Sequence, residues 1–154
     1  MTDRRLVLDD FIPYRLSFTS NLVSDTIART YQALFGLTIP DWRLVAVVAE
    51  TGGITQAEIG VRTRMDKVTV SRAAIGLVER GLLARAANPD DRRSHLLTLT
   101  DDGRTLHKAI APKALELERQ IFASFDAEEV NRFVAMLRRI DAVTAALAGA
   151  DNGI

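Results

Sequence analysis

Apolar residues recur along this chain with two periods, and the change between them maps its elements. Ile12, Leu16, Val23, Ile27, Tyr31 and Leu34 fall at three-, four- or seven-residue steps and form one stripe of a helix. That helix is expected to begin near Asp10, to carry Pro13 in its opening turn and to stop at Gly36. A second helix is expected from "TIPDW", capped by Thr38, with Asp41 favouring its N-terminal dipole. Its run "RLVAVVAE" is apolar on most sides, so it reads as a central buried helix ending before Gly52-Gly53. Thr55 and Glu58 have the spacing of a capping box for a helix of about two turns. "DKVTVSRAAIGLVERG" follows, with Asp66 as N-cap and Gly81 as the residue past the end. Two short helices joined by a brief turn make a helix-turn-helix pattern.

The period then shifts towards two. "GLLARA" (81–86) and "HLLTLT" (95–100) read as the strands of a small β-hairpin, with "NPDDRRS" (88–94) between them. Asn88-Pro89 supplies the turn chemistry. Two helices close the pattern. The first should run from near Thr100 to about Ser124, kinked at Pro112, which removes a backbone donor. The second should start at "FDAEEV", with Asp126 and Glu129 as a capping box and Phe125 against Val130 as a hydrophobic staple. Its stripe is Val130, Phe133, Val134, Leu137, Ile140, Thr144 and Leu147. The fold class expected is mainly α with a small β-hairpin wing.

Composition narrows the class. With 154 residues, 47% apolar and 26% charged, the chain has the size of one domain and too much apolar content for disorder. No window approaches a membrane span, and "MTDRRLVLDD" has acids where a leader needs apolar residues, so a cytoplasmic protein is expected. The absence of cysteine excludes disulfides, thiolate metal sites and thiol-based redox sensing. Net charge is zero, but it is unevenly spread. Residues 1–54 hold 5 basic and 6 acidic residues, residues 55–95 hold 8 and 5, and residues 96–154 hold 7 and 9. The basic centre is the part suited to face phosphate.

Catalysis finds little support. The two histidines, His95 and His107, have no ligand-spaced partners, and neither a metal site nor a cofactor is expected. The acidic pairs Asp90-Asp91, Asp101-Asp102 and Glu128-Glu129 sit at turns or helix starts, where capping explains them. There is no glycine-rich phosphate loop and no nucleophile elbow. No enzymatic activity is expected.

The helix at 66–80 is more informative. Val70, Ala74 and Leu77 share an inward face, while Val68 and Arg72 lie nearly opposite, flanked by Thr69 and Ser71. Lys67 stands in the first turn. Such cations, hydroxyls and methyls can hold phosphates, bond base edges and touch a thymine methyl. A hairpin straight after a helix-turn-helix is a wing, and an arginine at its tip can enter a narrow minor groove.

The helix "DKVTVSR" running into "LVERGLL", the wing "DDRR" and the following "LTLTDDG" together resemble the multiple-antibiotic-resistance regulator (MarR) family of bacterial transcription regulators. The flanking helices fit as well, so the resemblance covers nearly the whole chain. It implies a homodimer whose segments 10–36 and 101–148 interlock, with 38–100 as a winged helix-turn-helix lobe. It also implies a pseudo-palindromic double-stranded operator, read by recognition helices in successive major grooves ~34 Å apart. The residues expected at DNA are Thr55, Gln56, Lys67, Val68, Thr69, Ser71, Arg72, Arg92 and Arg93, with Asp91 bracing the wing. Family pockets for small, often aromatic, effectors suggest Tyr14, Phe18, Trp42 and Arg43 as ligand residues. The function implied is a repressor relieved by such a ligand.

Two residues depart from the pattern. Gly76 stands mid-helix, where it costs about 1 kcal/mol of helix propensity and offers no phosphate contact, and Ile75 beside it is apolar on the DNA-facing side. With zero net charge, they motivate an alternative: a winged-helix protein-interaction module without operator binding.

Overall fold

The computed structural model describes residues 5–151; the first four residues of the N-terminal stretch read against a leader lie outside the described residues. The elements follow the order α1 (Ile12–Phe35), α2 (Ile39–Ala49), α3 (Gln56–Thr63), α4 (Lys67–Glu79), β1 (Leu83–Ala87), β2 (His95–Leu99), α5 (Asp101–Ile121) and α6 (Ala127–Asp151). The chain forms two compact units, Met1–Ala114 and Leu115–Ile154. A mainly helical chain with one antiparallel hairpin is the winged helix-turn-helix class read from the sequence. Among the described residues, no single helix is long and apolar enough to cross a membrane.

Local chemistry sets the helix ends. Thr38 accepts from the Asp41 amide at 3.3 Å and Asp41 accepts from the Thr38 amide at 3.1 Å, so Asp41 completes a capping box beyond its dipole role. Thr55 and Glu58 repeat that arrangement at α3. Gly81, at φ 72°, terminates α4: its amide bonds to the Val78 carbonyl, and the Leu82 amide to the Leu77 carbonyl, a Schellman closure. Two helix ends differ from the sequence reading. Leu8–Asp10 is a separate 3-10 turn, and Phe11 is extended, so α1 begins at Ile12 rather than near Asp10. α5 stops at Ile121, three residues before Ser124; a tight turn follows, with the Phe125 amide bonding to the Phe122 carbonyl at 3.0 Å. Pro112 lies inside α5, which continues through it.

In the first unit the described core residues are all apolar. Leu44, Val45 and Val48 of α2 are buried with Ile59 of α3, Val70, Ala73, Ala74 and Leu77 of α4, and Leu83 and Leu97 of the hairpin. α2 packs on both α4 and β2, as expected for a central helix. Strands β1 and β2 pair antiparallel, from Leu83 opposite Leu99 to Ala87 opposite His95. Ile54 adds a third edge: its amide bonds to the Leu97 carbonyl at 3.2 Å and its carbonyl accepts from the Leu97 amide at 2.8 Å. Gly103 at the start of α5 is dictated by space, since a Cβ there would lie 2.1 Å from the Leu82 carbonyl oxygen.

In the second unit, α6 buries no residue. Phe122 packs against Phe125 and Phe133, with ring centroids 6.0 and 6.2 Å apart. The Glu129 amide donates to the Asp126 carboxylate at 2.8 Å, which is the Asp126 half of the expected capping box. Along its stripe Phe133, Val134, Ile140 and Leu147 are exposed.

Candidate nucleic-acid interface

The buried face of α4 fixes what its other face presents. With Val70, Ala73, Ala74 and Leu77 inward, Lys67, Val68, Arg72 and Ile75 are exposed, and Thr69, Ser71 and Gly76 are half-buried. The inward face is the one read from the sequence, and the structure refines one member of the opposite set. Thr69 donates its hydroxyl to Asp66 at 2.7 Å and its amide to the same carboxylate at 2.8 Å. Its donor is therefore engaged within the cap, and its oxygen remains available as an acceptor. These two bonds hold the Asp66 carboxyl below its ordinary value of 3.8, the backbone amide first and the hydroxyl second. Nothing lies within 4 Å of a Cβ built at Gly76, so packing does not require glycine there.

Thr55 and Gln56 open α3, and both are half-buried. The Thr55 hydroxyl already accepts from the Glu58 amide at 3.2 Å. Between α3 and α4 lies a residue that sequence reasoning missed. Arg64 is exposed and adopts a left-handed backbone, φ 56° and ψ 21°. Turns that need positive φ are usually signalled by glycine or asparagine, and an arginine gives no such signal.

The wing tip is ordered by its own acids and amides. Asn88 accepts from the Asp90 amide at 3.1 Å and donates its side-chain amide to the Ser94 hydroxyl at 2.9 Å. Asp91 accepts from the Arg93 amide at 2.9 Å, while its carbonyl accepts from the Ser94 amide at 3.3 Å. Asp91 thus holds the backbone of Arg93 and leaves its guanidinium free. Among the described residues, Lys67, Arg72, Arg92 and Arg93 have no side-chain ion pair or hydrogen bond. Free cations on an exposed surface cost no exchange of partners when a phosphate arrives.

The residues expected around a ligand fall into two groups. Tyr14 and Phe18 pair on α1 with centroids 6.1 Å apart, and Arg15 lies over the Phe18 ring at 5.1 Å. Trp42 meets Tyr31 edge-on at 5.6 Å and stacks on His107 at 5.9 Å. Arg43, next to Trp42, is exposed. Burial raises the Tyr31 hydroxyl above the ordinary phenol value. Among the described residues, no group of three or more histidine or acidic side chains could hold a metal ion.

A helix-turn-helix whose second helix, α4, presents free cations, followed by an arginine-tipped hairpin, is the winged-helix architecture of DNA-binding transcription regulators. Residues 35–94 match the model of the MarR family. An uncharacterized protein of Mycobacterium bovis is 31% identical over 105 residues, covering 68% of this chain and 73% of that protein. Transcriptional regulator HosA of Escherichia coli O111:H- is 25% identical over 113 residues, covering 73% of this chain and 84% of HosA. Among solved structures, Bordetella bronchiseptica BpsR, described with regulation of its DNA binding by 6-hydroxynicotinic acid, superposes with a TM-score of 0.82. That match is 24% identical and covers 90% of this chain and 98% of BpsR. The chain belongs to the MarR family of transcription regulators. The family and the relatives that carry a function are regulators rather than enzymes.

Proposed function

We propose that the protein is a homodimeric repressor that binds a pseudo-palindromic operator near its own gene and is released by a small aromatic acid. The observation that carries DNA recognition is the set of unpartnered cations Lys67, Arg72, Arg92 and Arg93, on α4 and on a wing tip held by its own hydrogen bonds. In this reading α4 enters the major groove, with Val68, Ser71 and Arg72 at base edges, Lys67 at phosphate and Thr69 accepting through its oxygen. Thr55 and Gln56 face the backbone from the start of α3, and Arg64 adds a phosphate contact between the helices. Arg93, held through its amide by Asp91, enters the minor groove beside Arg92.

The exposed stripe of α6 supports dimerisation through 101–148 together with 10–36, leaving 38–100 as the DNA-binding lobe. BpsR supplies the precedent for an aromatic acid effector. The Trp42–His107 stack suits an aromatic ring, with the exposed Arg43 next in sequence as the candidate carboxylate partner, and the separate Tyr14–Phe18 pair is a second aromatic candidate.

The test is to select fragments of the source genome on the purified protein, then titrate the recovered duplex at several salt concentrations. Affinity should fall steeply with salt. Arg93→Ala should lower the salt slope by about one contact per protomer, and 6-hydroxynicotinate or a benzoate should release the DNA. Failure to retain any promoter-proximal fragment in a salt-sensitive way would overturn the proposal.

A further inference from the structure

The C-terminal end of α4 is joined to the ends of two other helices by three consecutive residues. Arg80, the first residue past α4, donates from Nη1 to the Gly36 carbonyl at 3.2 Å and from Nη2 to the Phe35 carbonyl at 3.4 Å. The Gly81 carbonyl accepts from the Thr100 hydroxyl at 2.6 Å, and the Leu82 carbonyl from the Thr100 amide at 3.2 Å. Thr100 also caps α5 by accepting from the Gly103 amide at 3.0 Å.

The two junctions differ in kind. The one to α5 is made of backbone, a short hydroxyl and a glycine with no room beside it. The one to α1 is made by a single long side chain. Its acceptors lie at the end of a 24-residue helix, where carbonyls lack helical partners and the dipole is negative. A guanidinium suits that end because its donors form a rigid planar fork able to hold two oxygens at once. Besides the chain connection to α2, the described residues tie α1 to the lobe through the Tyr31–Trp42 ring contact, with buried Leu37 beside the helix end. Apolar contacts resist separation but are non-directional, so they tolerate rotation.

We propose that Arg80 is a positioning residue, whose two-carbonyl clamp fixes the angle of recognition helix α4 to α1. The inference rests on the dimer reading above, in which α1 belongs to the dimerisation region. There the angle sets the separation of the two recognition helices, and hence the half-site spacing that the dimer accepts. Arg80 does this from the end of α4 opposite Lys67, without touching DNA.

The cysteine-free chain permits a clean test. A spin label at Ile75→Cys, on the exposed side of α4, reports the distance between the two recognition helices by pulsed dipolar spectroscopy of the DNA-free protein. Arg80→Ala should broaden that distance distribution while sedimentation still shows a dimer. On the selected operator and on versions lengthened or shortened by one base pair, Arg80→Ala should lose roughly tenfold of the wild-type preference for the natural spacing. Arg80→Lys, which offers one ammonium in place of the fork, should fall between. An unchanged distribution and unchanged spacing preference in Arg80→Ala would overturn the proposal. If Arg80→Ala does not fold, Arg80→Lys carries the test alone, and wild-type values for both readouts would overturn it. A parent protein with no dipolar signal would overturn the dimer reading, and this inference with it.

Discussion

The winged lobe and α6 use similar apolar side chains to different ends. In the lobe, Leu44, Val45 and Ile59 have no exposed surface, and their neighbours come from α2, α3, α4 and the hairpin. α6 spans 25 residues with an apolar stripe, yet none of its residues is buried, and Phe133 remains 39% exposed. A helix in a folded protein draws most of its stability from packing an apolar face. The lobe meets that need from its own elements, whereas α6 leaves its stripe for the second subunit we propose.

The largest effect should come from charging that stripe. Phe133→Asp with Ile140→Asp should convert the dimer to monomer in sedimentation and cost at least about a hundredfold in operator affinity, since a monomer holds one half-site. An unchanged dimer would break the contrast at its root. Within the lobe, Leu44→Ala should lower stability by about 2–5 kcal/mol in thermal melts without changing the association constant. Gly103→Ala should follow, at roughly 1–3 kcal/mol or more, because the added methyl collides with the Leu82 carbonyl. A neutral result in calorimetry would mean that the α5 junction can yield.

Two smaller changes sharpen the comparison. Gly76→Ala should stabilise the lobe by about 1 kcal/mol, seen as a raised denaturant midpoint, because the position is open. The smallest effect concerns acid. The Asp66 carboxyl titrates below 3.8 in the folded lobe, so its stabilising cap is fully present at neutral pH. That contribution begins to fade as pH falls past the ordinary value and is gone below the lowered folded one. Asp66→Asn keeps a capping oxygen but cannot titrate, so its melting temperature should decline less between pH 5 and pH 3 on a ~2-unit ramp. Parallel declines would detach the acid response from Asp66.

What could be read from sequence follows the range of the interactions. The caps at Thr38, Thr55 and Asp66 act over three residues, and each residue type states its own chemistry. The inward face of α4 follows from its period, and the wing from the change of period. Contacts that depend on distant chain coming together were hidden. Arg80 reaches carbonyls 44 and 45 residues away, and Gly103 owes its identity to the Leu82 carbonyl. Ile54 reads as a loop residue until Leu97 supplies its partner. One local interaction escapes the sequence as well: Thr69, on the flank of the outward face, also reinforces with its hydroxyl the cap three residues earlier.

The pairing of Ile54 with Leu97 changes the mechanics of the wing. A two-stranded ribbon alone is marginal in water, but here β2 is clamped at its middle residue, Leu97, into a third edge while the tip beyond it is free. Such a body behaves as a cantilever: displacement grows towards the tip, where Asn88, Asp91 and Ser94 hold a small knot of hydrogen bonds. The arginines ride on that tip, so they can follow a groove that narrows or widens while the root of the wing, and α4 packed beside it, stays in place. In the DNA-bound state we propose, tolerance for groove shape falls to the tip of the hairpin and firmness of major-groove reading to its clamped part.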